Sequence, residues 1–160
     1  MVISEISPAT DPLGPELLAL QHASYAVEAE IIGDDRIPPL HETLDDLRAQ
    51  PLIWLGAFDD DDRLAGAVAW AETGTEVDLD RLVVHPRALR QGIGRALVKE
   101  VMTRAAERGI VVSTGQGNAP ARALYERLGF GLTDEIEVIP GLWIARYAYP
   151  AAATRERASS

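Results

Sequence analysis

The chain contains no cysteine among its 160 residues. It therefore forms no disulfide, no thiolate metal site and no cysteine nucleophile, while the redox compartment stays undetermined. Aromatic residues make up only 6% of the chain, and no apolar run approaches the roughly 18 residues that a membrane-spanning helix needs. The first ten residues lack the basic and apolar segments of a signal peptide. We therefore expect a cytoplasmic protein that does not act at a membrane.

Basic residues are scarce, with 15 Lys and Arg against 25 Asp and Glu and a formal net charge of −10. Such a balance argues against a nucleic-acid partner, because neutralising phosphates requires a basic surface. Seven of the basic residues nevertheless fall between positions 81 and 108. This locally cationic segment is either a solvated helix face or an anion site.

Metal-binding patterns are also missing. His22, His41 and His85 are scattered without the spacing of metal ligands. The acidic run at residues 59–62 lacks the glycine and the distal glutamate of a calcium loop, so we interpret it as a solvated turn. We predict no metal cofactor.

The chain is long enough for one domain and has ordinary globular usage, with 47% hydrophobic and 25% charged residues. No linker or internal repeat divides it. We expect a single domain over residues 1–150 and a flexible tail at residues 151–160, which is rich in alanine and polar side chains.

The first half of the chain shows two helix patterns followed by a hairpin. A helix is predicted from Pro12 to Ile31, with Gly33 as its stop. A short second helix begins at Thr43, whose hydroxyl can cap it while Asp46 completes a capping box. Residues 52–58 and 64–71 are predicted to be paired strands.

The second half alternates strands and helices. Ile93, Leu97, Val101 and Ala105 recur at helical spacing, and Gly109 stands where a left-handed helix end is expected. Asn118 can cap a third helix that Gly129 closes. Strands are predicted over residues 76–85, 110–114, 135–139 and 143–148.

The most informative segment is residues 82–97, where a strand runs through a glycine-marked turn into a helix. Unpaired backbone N–H groups and the positive end of the helix dipole make such a turn an anion site. Gly92 and Gly94 allow a pyrophosphate to approach the backbone, and Arg90 and Arg95 add charge. The segment lacks the Gly-Lys-Ser/Thr of a nucleotide P-loop, and Leu97 stands where a dinucleotide fingerprint has its third small residue.

A third phosphate-binding pattern remains, with glycines two apart after a strand that ends in proline. A second motif follows it, made of Asn118, Ala121, Leu124, Tyr125 and Leu128-Gly129-Phe130. Together these motifs resemble the GCN5-related N-acetyltransferase (GNAT) family. The resemblance covers most of the chain and is strongest from Leu79 to Phe130. It implies an α/β (α+β) fold, with a mixed, mostly antiparallel central sheet flanked by helices on both faces.

The resemblance also implies acetyl-CoA as cosubstrate. The family holds the thioester and pantetheine along the strand before the glycines, and the pyrophosphate on the loop amides. Leu89 departs from the pattern, since the family usually has Arg or Gln there. The implied cofactor-binding residues are Leu82, Val83, Val84, Leu89, Arg90, Gln91, Gly92, Ile93, Gly94, Arg95, Ala96, Asn118, Ala121 and Tyr125.

In the family the tyrosine of the second motif stands near the cofactor sulfur. With a reference pKa of about 10, Tyr125 suits the protonation of a thiolate whose pKa is about 8.5; otherwise it is an aromatic side chain packed on the sheet. A backbone N–H near Val84 is the candidate donor to the oxyanion.

The general base is less specified. Glu76, Asp78 and Asp80 alternate along one predicted strand, where they share a face, and we favour Glu76 for its longer reach. Plain solvent exposure is the competing interpretation for all three. In the family, helices from the first half of the chain cover the acceptor cleft, so Tyr25, Glu28 and Glu30 are candidate substrate-binding residues, and the two glutamates are rival bases.

We therefore expect an N-acetyltransferase that moves an acetyl group to a primary amine by direct attack in a ternary complex. The alternative is a non-catalytic acyl-CoA-binding module or sensor with the same fold. The acceptor is a small-molecule or peptide amine that the sequence does not identify, and a homodimer is left open.

Overall fold

The computed structural model describes residues 1–159 and contains one seven-stranded sheet. The strands follow the order β1-β2-β3-β4-β5-β7-β6, and only β4 and β5 pair in parallel. The predicted mixed, mostly antiparallel sheet is confirmed. The strands are β1 (Val2–Ile6), β2 (Ile53–Phe58), β3 (Leu64–Glu72), β4 (Glu76–Val84), β5 (Gly109–Gly115), β6 (Gly131–Ile139) and β7 (Leu142–Tyr149).

Helices cover both faces of the sheet, as expected. On one face, Leu17 and Leu20 of the first helix pack with Leu47 of the second against Trp54. On the other face, the third and fourth helices supply a cluster that includes Leu97, Val101 and Tyr125. The helices are α1 (Leu13–Ile32), α2 (Leu44–Ala49), α3 (Ile93–Ala105), α4 (Ala119–Arg127) and α5 (Ala152–Ser159).

Most predicted helix ends are confirmed. Gly33 ends α1 with a φ of 71°, and Gly129 follows α4 with a φ of 94°. Thr43 and Asp46 form the capping box of α2, and the Asn118 side chain accepts a hydrogen bond from the N–H of Ala121 at the start of α4.

The prediction that Gly109 forms the left-handed end of α3 is wrong. Helix α3 ends earlier, at Ala105, and Ala106 takes the positive φ of 56°. Gly109 instead begins β5, where it pairs with Glu76 of β4. The turn over residues 106–108 is closed by a hydrogen bond from the N–H of Arg108 to the carbonyl of Ala105.

Both termini differ from expectation. Strand β1 was not predicted; it is a five-residue strand paired with β2 at the edge of the sheet, too short for a clear alternation pattern. Residues 152–159 form α5 where a flexible tail is expected. The N–H of Ala152 donates to the carbonyl of Glu107, and the Arg155 guanidinium lies 4.6 Å from the centre of the Tyr149 ring. These contacts tie the segment to the domain.

Strands β4 and β5 separate in the middle of the sheet. They pair only from Glu76 with Gly109 to Leu79 with Val112, after which β5 continues its pairing with β7 alone. A cleft therefore opens beside the second half of β4.

A bulge at Asp80 marks the same point. Leu79 faces Trp70 and Arg81 faces Ala69, so Asp80 has no partner in β3. The extra residue reverses the alternation of side chains: Leu79 and Leu82 pack on the α3 face, whereas Val83 packs on the α1 face. Of the three predicted strand carboxylates, Asp80 therefore reaches the cleft, whereas Glu76 and Asp78 do not.

Candidate active site

Two adjoining cavities occupy the cleft. The first, which we call the outer groove, has a volume of about 640 Å³ and runs between α1, the end of β4, the loop at residues 88–95 and α4. The second, the inner cavity, has a volume of about 330 Å³ and lies between the separated strands, residues 36–39 and the β6–β7 hairpin. Glu28, Leu82, Asn118 and Ala121 line both cavities. A long ligand in the groove can therefore meet a second ligand in the cavity.

The loop before α3 presents backbone N–H groups to the outer groove. Arg90 and Gly92 both have positive φ values, 65° and 78°, and the N–H groups of residues 92–95 donate to no acceptor within residues 1–159. A Cβ atom on Gly94 would stand 3.5–3.7 Å from side-chain carbons of Leu124, Leu82 and Val84. Free donors at the positive end of a helix form an anion site.

Three arginines strengthen this site. Arg90, Arg95 and Arg127 line the outer groove, and no carboxylate of residues 1–159 lies within ion-pair distance of any of them. Arg127 was missed from the sequence. Arg127 follows Pro120 by seven residues and Leu124 by three along α4, and this spacing was the signal that these side chains share a face.

The structure brings together most of the expected cofactor-binding residues. Gln91 and Ala96 line neither cavity, and neither does Val83. Tyr125 lines the inner cavity alone. Those that line the outer groove are Leu82, Val84, Leu89, Arg90, Gly92, Ile93, Gly94, Arg95, Asn118 and Ala121.

Val83 does not face the cleft, in contrast to the prediction that it binds the cofactor, and the cause lies in its backbone. The N–H of His85 donates to Ala65 of β3, and every second residue of an antiparallel ladder repeats this pattern, so the Val83 backbone is engaged with Ala67. Its side chain is fully buried on the α1 face. The intervening N–H groups, on Leu82 and Val84, point into the cleft instead.

One of these cleft-facing donors already has an acceptor. The N–H of Val84 donates to the hydroxyl of Ser24 on α1 over 3.2 Å. Ser24 also lines the outer groove and was not singled out from the sequence. A ligand oxygen that accepts from this N–H must displace the Ser24 hydroxyl.

Tyr125 lies in the wall of the inner cavity and is 4% exposed. Its ring packs against Phe130 and Tyr147, with centroids 5.5 and 6.2 Å away. Within residues 1–159 its hydroxyl has no hydrogen-bond partner. Burial, reinforced by the charge of Glu28, raises the pKa of Tyr125 above its ordinary value, so the hydroxyl stays protonated and can donate. Burial raises the pKa of Tyr25 in the same cavity wall.

The predicted carboxylates are placed very differently. Glu28 lines both cavities, and one of its oxygens lies 3.4 Å from the backbone nitrogen of Gly115. Asp80 lines the inner cavity but accepts a 2.7 Å hydrogen bond from Arg81. Glu30 is exposed outside both cavities.

The prediction that Glu76 reaches into the cleft as the general base is corrected by its position. It is exposed at the first residue of β4 and lines neither cavity. At about 3.3 Å per residue it lies roughly 25 Å along the strand from Val84. The reach of its side chain does not bridge that distance. Asp78 is likewise exposed and outside both cavities.

A buried ionic network supports the cavity wall. The Arg81 guanidinium donates to Glu42 over 2.7 Å and to the Gln21 side-chain oxygen over 3.0 Å. The Gln21 amide donates to the same Glu42 oxygen and to the carbonyl of Pro39, each over 2.8 Å. These bonds fix residues 39–42 to α1 and β4. No sequence pattern pointed to this network.

The comparisons with known proteins agree with this architecture. The profile of the acetyltransferase (GNAT) family matches residues 16–130, which is most of the chain. The chain belongs to the GNAT family of acetyltransferases. The match includes most of α1, the residues that line the outer groove and both motifs of the cofactor-binding half.

Two known proteins are similar in sequence to this GNAT chain. It is 36% identical over 138 residues to the UPF0157 protein YqkA of Bacillus subtilis (strain 168), covering 84% of this chain and 40% of that protein. It is 25% identical over 125 residues to the peptidyl-lysine N-acetyltransferase YjaB of Salmonella typhimurium, covering 78% and 81% of the two chains. The chain thus spans less than half the length of the first of these relatives.

A solved structure shares the fold. An aminoglycoside 6'-N-acetyltransferase complexed with coenzyme A superposes with a TM-score of 0.71 at 19% identity, over 93% of this chain and 96% of that one. Within residues 1–159 of the GNAT chain, no helix has the length and apolarity to cross a membrane. The same residues contain no cluster of three or more His, Asp or Glu side chains arranged to hold a metal ion.

Proposed function

We propose that this GNAT protein is an N-acetyltransferase that moves the acetyl group of acetyl-CoA to a primary amine by direct attack in a ternary complex. The observation that carries the proposal is the meeting of the two cavities at Glu28, Leu82, Asn118 and Ala121. The outer groove has an anion site at one end, and the inner cavity holds a free tyrosine hydroxyl. Cofactor and amine can thus occupy the site together.

The outer groove fits coenzyme A. The pyrophosphate would accept hydrogen bonds from the N–H groups of residues 92–95, with Arg90, Arg95 and Arg127 supplying positive charge. The pantetheine arm would run along the cleft-facing edge of β4 beside Leu82 and Val84. When bound, acetyl-CoA supplies the thioester that reacts.

The inner cavity supplies the groups that acyl transfer needs. The amine nitrogen attacks the thioester carbon, the C–N bond forms and the C–S bond breaks. Glu28 takes one proton from the bound ammonium, which leaves a neutral amine to attack. The nitrogen loses a second proton after the attack, and this proton replaces the one that Tyr125 gives to the departing thiolate. The N–H of Val84 stabilises the negative charge on the carbonyl oxygen after Ser24 is displaced.

A coupled assay tests the proposal against a non-catalytic role. Acetyl-CoA is supplied with a panel that contains an aromatic amine, a polyamine, an aminoglycoside and a lysine-containing peptide, and release of the coenzyme A thiol is recorded. At least one amine should accelerate release well above the rate without acceptor. If acetyl-CoA binds but no amine accelerates release, the protein is an acyl-CoA-binding module and the proposed activity is wrong.

A further inference from the structure

The side chains that line the inner cavity favour one class of amine as the acceptor. We propose that the acceptor is a monoamine whose amino group is carried on an aromatic or aliphatic body, bound with its ammonium at Glu28 and its body against the β6–β7 hairpin. This inference rests on the proposed function and names the substrate class of the same site.

Apolar side chains dominate the part of the cavity away from the groove. Val138 is 46% exposed there, on β6. An exposed apolar side chain in a cavity wall gains most when a ligand covers it with apolar surface. The apolar residues of this wall are Ile32, Ile37, Pro38, Pro39, Val138, Leu142 and Ile144.

The charged side chains of the inner cavity can bind one ammonium group. Of its four ionic side chains, Arg81 binds Asp80 and Glu42, and Arg36 binds Asp34 through several hydrogen bonds. The hydrogen bonds from Arg36 lower the pKa of Asp34 to about 2, so the Arg36–Asp34 pair stays ionised at neutral pH. Within residues 1–159 only Glu28, among the carboxylates of the cavity, has no cationic partner.

The position of Glu28 sets the orientation of the acceptor. Because Glu28 lines both cavities, an ammonium group bound there lies at the cofactor end, and the body extends toward the hairpin. Arg36 joins the two walls, since it binds Asp34 and also donates to the carbonyl of Pro140 over 3.0 Å. The volume of about 330 Å³ is at the small end for ligand sites. A polyamine or a polyhydroxylated aminoglycoside would place several polar groups against this apolar wall, where hydrocarbon side chains offer them no hydrogen bonds.

The experiment compares kcat/KM for 2-phenylethylamine with that for spermidine, kanamycin and a lysine-containing peptide. We expect a value at least tenfold higher for 2-phenylethylamine. Val138→Asp, at an exposed position that tolerates polarity, should raise KM for this amine at least tenfold without changing acetyl-CoA affinity. Ile139→Asp is the matched control, because Ile139 is 41% exposed on the same strand and lines neither cavity.

The outcomes separate this inference from the function beneath it. A higher kcat/KM for spermidine, kanamycin or the peptide would overturn the apolar acceptor and leave the acetyltransferase activity standing. Equal effects of Val138→Asp and Ile139→Asp would also overturn it. Thiol release with none of the amines would overturn the proposed function itself, and this inference with it.

Discussion

Tyr125 shows how a residue's surroundings decide its chemistry. Its position seven residues after Asn118 indicated a role near the cofactor sulfur, but spacing does not separate a proton donor from a packed aromatic ring. The structure shows both features at once, because the ring is packed between Phe130 and Tyr147 while the hydroxyl has no partner within residues 1–159. The role as the acid remains a proposal.

Replacing Tyr125 by Phe keeps the ring and removes only the hydroxyl. Turnover should fall roughly 10²-fold, while acetyl-CoA affinity stays within a few-fold. Because the pKa of Tyr125 is raised above 10, ionisation of this group should not lower wild-type turnover as the pH rises from about 7 to 10. Tyr149→Phe, outside both cavities, is the control. Unchanged turnover in Tyr125→Phe would make Tyr125 a packing residue only.

Glu28 replaces Glu76 as the proposed base for a reason that lies in the backbone. The alternation of Glu76, Asp78 and Asp80 is visible in the sequence, but Glu76 belongs to the part of β4 that pairs with β5, roughly 25 Å along the strand from Val84. Glu28 comes from α1, far before Tyr125 in the sequence, and only the folded chain brings the two residues together.

Glu28→Gln should lower turnover by roughly 10²-fold at a pH well below the pKa of the acceptor amine. The loss should shrink as the pH rises toward that pKa, since a larger fraction of the amine then arrives already deprotonated. The measurement is the pH profile of turnover at saturating acetyl-CoA. Glu30→Gln, two residues on and outside the cavities, is the control. If both variants retain the wild-type profile, Glu28 is not the base, and Asp80 is the next carboxylate to test.

At the scale of elements, the turn into α3 contains two glycines with different structural roles. Gly92 has a φ of 78°, which favours glycine for its backbone alone. Gly94 is helical, and a Cβ there would meet its neighbours at ordinary distances of 3.5 Å or more. Its missing side chain therefore serves the groove rather than the fold.

The variant Gly94→Ala tests whether Gly94 is needed for acetyl-CoA binding rather than for folding. The variant should unfold at the same or a higher temperature than the wild type, because alanine is the better helix former. Its acetyl-CoA affinity should drop at least tenfold, or about 1.4 kcal/mol, since the methyl group stands where the pyrophosphate approaches. Calorimetric titration measures this affinity, and Gly74→Ala, in an open turn, is the control. An unchanged affinity in Gly94→Ala would contradict the pyrophosphate assignment.

The Arg81 network joins three elements, and its partners are largely buried. The side chains of Arg81 and Glu42 are 4% and 12% exposed. Glu42→Ala leaves the buried guanidinium with Asp80 and the Gln21 oxygen and should lower the free energy of unfolding by about 3 kcal/mol. Glu100→Ala removes an exposed ion pair with Arg104 and should cost less than about 1 kcal/mol. Urea unfolding compares the two, and equal losses would show that the network does not stabilise the wall.

Across the whole molecule, local signals predicted well and long-range ones did not. Thr43 with Asp46, Asn118 and Gly33 specify helix ends through neighbours a few residues away, and the structure confirms them. The glycine loop is likewise contiguous, so its turn into α3 was predictable. The edge strand β1 and the contact of Ser24 with Val84 depend on partners far along the chain. No window of sequence contains both members of such a pair.

The central claim is that acetyl transfer passes directly from the cofactor to an amine in this cleft. The most direct measurement mixes protein loaded with acetyl-CoA with an excess of the most active amine and stops the reaction at successive times. The acetylated amine should appear at the rate at which coenzyme A is released, with the protein's intact mass unchanged throughout. Acetyl groups on the protein chain before acetylated amine forms, or coenzyme A release that does not depend on the amine, would contradict the account.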